Sequence, residues 1–120
     1  MGTVVKETAM IFNILLKKEG DLFVTHCLEL DIVSTSPDIE AAKREIVELI
    51  QAQVDYAFSN ENLDYLYHPA PAEAWEEFYR CDELSEERIN LTSDFSQPSA
   101  RFVPPWFIAR TCSTYPSCHV

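Results

Sequence analysis

The chain has 120 residues, the size of one domain, and its 47% hydrophobic and 12% aromatic content argues against global disorder. Its net charge is −11, from 20 acids and 9 bases, and no basic run exceeds Lys17-Lys18 or Lys43-Arg44. Phosphate recognition depends on clustered Lys and Arg, so direct nucleic-acid binding is disfavoured. The two glycines, Gly2 and Gly20, are too few for a Walker loop or a dinucleotide fingerprint.

No run approaches the ~20 apolar residues that cross a bilayer. Residues 1–7 carry one Lys and lead into a strand-like alternation without a small-residue cleavage site. No signal peptide is expected, and a cytoplasmic protein follows as the default.

From Thr8 to Lys17, Met10, Phe12, Ile14 and Leu16 alternate with Ile11, Asn13 and Leu15, which predicts a strand buried largely on both faces. Lys18-Glu19-Gly20-Asp21 is a turn, with Gly20 free to take positive φ. Leu22 to Leu28 is the return strand. Glu29-Leu30-Asp31 is a tight corner, and Ile32 to Thr35 is a short third strand. Sequential strands with short connections pair as an antiparallel meander.

A helix begins at Ser36-Pro37-Asp38, capped either by Ser36 or by Asp38, with Asp38 preferred. Ile39, Ala42, Ile46, Leu49, Ile50, Val54, Ala57 and Phe58 recur at spacings of three and four, one apolar stripe. Leu63, Tyr65, Leu66 and Tyr67 form a short aromatic segment, and His68-Pro69-Ala70-Pro71 stops any helix. A second helix runs from Ala72 to about Cys81. Residues 85–101 are polar and Ser-rich and read as a flexible linker. Phe102 to Ile108 is apolar, and Pro104-Pro105 demotes it to an edge strand or an extended arm. The expected fold class is α+β: a three-stranded antiparallel meander packed by one long helix, with a second short helix and an extended C-terminal arm. The expected division is an α+β domain over 1–84 and a linker with arm over 85–120.

Glu19-Gly20-Asp21, the run from Cys27 to Ser34 and Asp38-Ile39-Glu40-Ala41-Ala42 together resemble the HicB-like antitoxin family. The segment HPAPAEAWEEFYR is similar to the tail of its short, stand-alone members. The resemblance covers roughly residues 8–80. It implies a three-stranded sheet backed by a helix, a degraded ribonuclease-H-like core, and a homo-oligomer. It also implies a partner, a small basic ribonuclease toxin that such domains neutralise. The family's layout adds a separate operator-binding domain, and residues 82–120 depart from it, showing neither a helix pair nor a basic strand, so operator binding by this chain is not expected.

The chemistry-bearing residues do not assemble into a reaction motif. Cys112, Cys118 and His119, with Cys81 or His68, lack the close ligand pairs of a zinc site, so no metal is expected. A disulfide between Cys112 and Cys118 stays open, set against the reduced state usual for cytosolic thiols. Cys27 reads as a small core residue. His26, His68 and His119 have no nucleophile beside them in any motif. A ribonuclease-H-type site needs several carboxylates on strands, and only Glu29 and Asp31 lie near strand ends. No enzyme activity and no cofactor are therefore expected. Asn90-Leu91-Thr92 matches a glycosylation acceptor and reads as chance.

Nine acids between Glu61 and Glu87 oppose only Arg80 and Arg88, which reads as a solvated face that keeps the protein soluble or, alternatively, as an attraction for a basic protein partner. The candidate protein interface comprises Glu73, Glu76 and Glu77 with Phe102, Trp106 and Phe107 of the arm. Such an arm could cover the remaining sheet face or swap onto a neighbour, so a homodimer is expected. The alternative is a small ligand-binding protein or an enzyme using the aromatic region of residues 56–79. A third reading is a purely structural oligomerisation domain.

Overall fold

A computed structural model describes residues 10–60, 66–81, 83–90 and 106–114. In chain order these form β1 (Met10–Glu19), β2 (Leu22–Cys27), β3 (Ile32–Ser36), α1 (Ile39–Ser59), α2 (Ala72–Tyr79), β4 (Glu83–Asn90) and β5 (Trp106–Ser113). The sheet order is β3-β2-β1-β5-β4.

The expected meander is present. β1 pairs antiparallel with β2 from Ile14↔Cys27 to Glu19↔Leu22, leaving Gly20 and Asp21 as a two-residue loop. Gly20 has φ 62°, the positive value that such a loop requires. β2 pairs antiparallel with β3. At the corner between them Asp31 takes φ 56°, a left-handed conformation that Asp tolerates better than most residues. Its carboxylate lies 2.7 Å from His26 Nε2.

α1 starts where the sequence places it. Asp38 Oδ2 accepts a hydrogen bond from Ala41 N–H at 3.0 Å, the N-cap contact of its first turn. Ala42, Ile46, Ile50, Val54 and Ala57 all bury, so most of the stripe of three and four faces the sheet, while Leu49 is exposed at its margin. Ile46, Ile50, Val54 and Ala57 join one cluster with Phe12, Ile14 and Cys27 and also Phe107 and Ala109 of β5. Phe12 and Phe107 touch edge to face, 5.2 Å between ring centroids.

The sheet has five strands, not three, and the reasons are local. β5 lies between β1 and β4 rather than at an edge, parallel to β1 from Met10↔Phe107 to Leu16↔Ser113. Its first residue is Trp106, so Pro104 and Pro105 precede the strand and take no N–H from its ladder. Phe107, expected in an interface arm, is fully buried in the core. β4 occupies part of the segment read as linker, and the boundary expected after residue 84 falls inside it. Glu83–Asn90 carries no apolar alternation because most of this edge strand is open to solvent, every residue but Ile89 being exposed. Its order comes from eight antiparallel positions along β5. The rest of the expected linker and arm, residues 91–105, lies outside the described residues, Phe102 included.

α2 packs on the face opposite α1, where Phe78 and Ala70 bury against Leu15, Leu28 and Cys112. The helix is only eight residues long, and Pro71 at its N-cap makes no side-chain capping bond. A helix of this length is not self-supporting in water.

Candidate functional site

Strand alternation sorts the residues of the second sheet face into rows. Leu15, Cys112 and Leu84 form one row, and α2 covers its middle. Asn13, Arg110 and Glu86 form the next, then Ile11, Ile108 and Arg88. Beyond the part that α2 covers, Ile11 is 48% exposed and Leu84 47%; on α2 itself Tyr79 is 75% exposed. The second face is thus covered over one half and open over the other.

The covering half is tied down covalently. Cys81, just past the end of α2, forms a disulfide with Cys112 at the centre of the sheet. This replaces the Cys112–Cys118 pairing left open by the sequence and removes Cys112 as a zinc ligand; Cys118 and His119 lie outside the described residues. Among the described residues no three His, Cys, Asp or Glu side chains come together to hold a metal ion. Cys27 is the buried free thiol, and burial pushes its pKa up to about 12, which makes it inert as a nucleophile.

Glu29 has a role that sequence reasoning missed. β2 turns away after Cys27, leaving the N–H of Asn13 on central strand β1 without a strand carbonyl to meet. The Glu29 carboxylate takes that place, accepting from Asn13 N at 2.7 Å and from the Asn13 side-chain amide. Burial raises the Glu29 pKa above the usual carboxylate range, while the two Asn13 bonds and the Arg110 charge pull the other way. Tyr67 is also raised, first by burial and then by the Glu29 charge. Asn13 Oδ1 is buried with no hydrogen-bond partner. Arg110 Nε approaches Glu86 Oε2 at 3.3 Å, near enough for charge attraction but off the line of a hydrogen bond. The only sequence signal for this cluster was an Asn at an otherwise apolar strand position.

Glu73 and Glu76 are exposed on α2, and half-exposed Glu77 lies 3.4 Å from Lys17 Nζ of β1. Among the described residues the aromatic candidates form no single cluster. Tyr56 lies exposed on α1, Tyr67 stacks 6.3 Å from Phe12, and Trp75, Phe78 and Tyr79 neighbour one another on α2. Tyr65 and the Phe58 and Trp106 side chains lie outside the described residues. His26 is engaged with Asp31, and exposed His68 donates its backbone N–H to Glu29 O at 2.9 Å. On the opposite face an open cleft of about 410 Å³ separates α1 from β4, with Val47 and Ile89 between Lys43, Arg44, Glu48 and Glu87. No helix among the described residues is long and apolar enough to cross a membrane.

No family model matches the chain, and neither a curated protein nor a solved structure matches it.

Proposed function

We propose that the chain is a non-catalytic protein-binding module, a stand-alone HicB-like protein that forms a homo-oligomer and sequesters a small basic protein. The observation that supports this reading is the half-open second face. Ile11 and Leu84 stand exposed on that face and Tyr79 on the helix that covers its other half, and Glu73, Glu76 and Glu86 are exposed on the same elements. Exposed apolar side chains accompanied by exposed carboxylates fit a partner that offers apolar contacts together with Lys and Arg. In the pairs of the family that the sequence resembles, that partner is a small ribonuclease. A cytoplasmic location goes with this reading.

The test is affinity capture from the native host followed by titration of the captured basic protein. Its dissociation constant rises with salt, because exposed charges are screened beyond a Debye length of ~8–10 Å. It rises further in Glu73→Lys/Glu76→Lys. Binding indifferent to both changes refutes the role of these carboxylates.

The second reading, a small ligand or a reaction near the aromatic region, draws support from the raised Glu29 carboxyl close to Tyr67. The two bonds from Asn13 give Glu29 a structural task in the strand, which favours the first reading.

A further inference from the structure

We infer that β4 is the edge along which a second copy of this chain adds, antiparallel, about a two-fold axis centred on Glu87. This rests on the homo-oligomer proposed above and names its contact. β4 pairs with β5 at every position from Glu83 to Asn90, so its outer side is a regular row of backbone donors and acceptors. The charged side chains of an edge strand ordinarily discourage pairing; here their order is self-complementary. A two-fold axis between antiparallel strands stands perpendicular to the sheet and keeps each side chain on its own face. Residues on one face of β4 therefore meet residues of the same face in the partner.

Glu86 and Arg88 share the face that carries Arg110 and Ile108. Centred on Glu87, the pairing sets each Glu86 opposite the partner's Arg88, twice by symmetry. Centring on Ser85, Glu86, Arg88 or Ile89 sets no opposite charges against each other within Glu83–Asn90. The chosen register also brings the two Glu87 side chains together at the axis, a repulsion that weakens the dimer and makes it sensitive to that residue. The open cleft between α1 and β4 lies on the other face, so the second copy borders it without filling it.

Sedimentation equilibrium on the full chain tests this. The wild type is a dimer of 13.8 kDa chains at micromolar concentration. Arg88→Glu and Glu86→Arg each place like charges opposite and raise the dissociation constant about tenfold or more. Glu87→Gln lowers it. An equimolar mixture of the Arg88→Glu and Glu86→Arg proteins restores complementarity and dimerises as tightly as the wild type, which excludes misfolding as the cause of the single losses. A wild-type monomer at these concentrations refutes the homo-oligomer itself. A dimer indifferent to Arg88→Glu, or a mixture that fails to reassociate, leaves the homo-oligomer standing and overturns β4 as its contact.

Discussion

Breaking the Cys81–Cys112 bond isolates what holds α2 to the sheet. The substitution is Cys81→Ser, because Cys81 is only partly buried whereas Cys112 is fully buried among Leu15, Leu28 and Phe78. The bond closes a loop with a sequence separation of 31. Loop-closure entropy for that length gives about 3.7 kcal/mol at 25 °C, since the unfolded chain regains the freedom that the cross-link removes. At roughly 4 °C per kcal/mol for a chain of this size, the midpoint of thermal unfolding falls by about 15 °C. Circular dichroism melts of wild type and Cys81→Ser, each with and without reductant, measure it. Reductant lowers the wild-type midpoint to that of Cys81→Ser and leaves the variant unchanged. The Cys27 thiol cannot mimic this, being buried and a thiol already. A wild-type shift below about 3 °C, or a further shift in the variant, refutes the restraint.

Two other sites give local tests. Glu29→Ala strands the Asn13 N–H on the central strand and costs about 1–3 kcal/mol by urea unfolding, whereas Glu29→Gln is close to neutral, because the unpartnered Asn13 Oδ1 can turn to meet the new amide. The Glu29 carboxyl titrates above its unfolded value, so wild type gains stability over Glu29→Gln as pH falls to about 4 and loses it as pH rises through the raised pKa; an opposite slope in urea midpoints refutes the burial argument. Asp38→Ala removes the N-cap bond of α1 and lowers stability by about 0.5–2 kcal/mol in the same assay, and an unchanged midpoint means that Ser36, whose Oγ accepts from Asp38 N–H at 3.2 Å, holds the helix start alone.

The sequence was most legible where local chemistry decides structure. Gly20 marked the hairpin, Asp38 marked the start of α1, and the stripe from Ile39 to Ala57 marked its buried face. Each signal lies within a few residues of the feature it sets: a positive φ, a capping oxygen, a helical period. The acidic candidates on α2 were legible in the same way, as charges on one side of a short helix. Phe107 was misread because its apolar character is the same in a docking arm and in a core strand. Which of the two it joins depends on the distant Phe12.

By itself the sequence determined the α+β class, the β1–β2–β3 meander and the long helix, all products of short-range periodicity and turn chemistry. Only the tertiary structure decided that β5 enters the sheet centre beside β1, since a parallel pairing joins residues nearly a hundred positions apart and leaves no local mark. The same holds for β4, whose charged sequence becomes a strand because β5 offers it a ladder. It holds as well for Cys81 with Cys112, chosen as partners by the docking of α2 rather than by spacing. The Glu29–Asn13 clasp is the fourth case: the N–H it satisfies is orphaned only once β2 has turned away from β1.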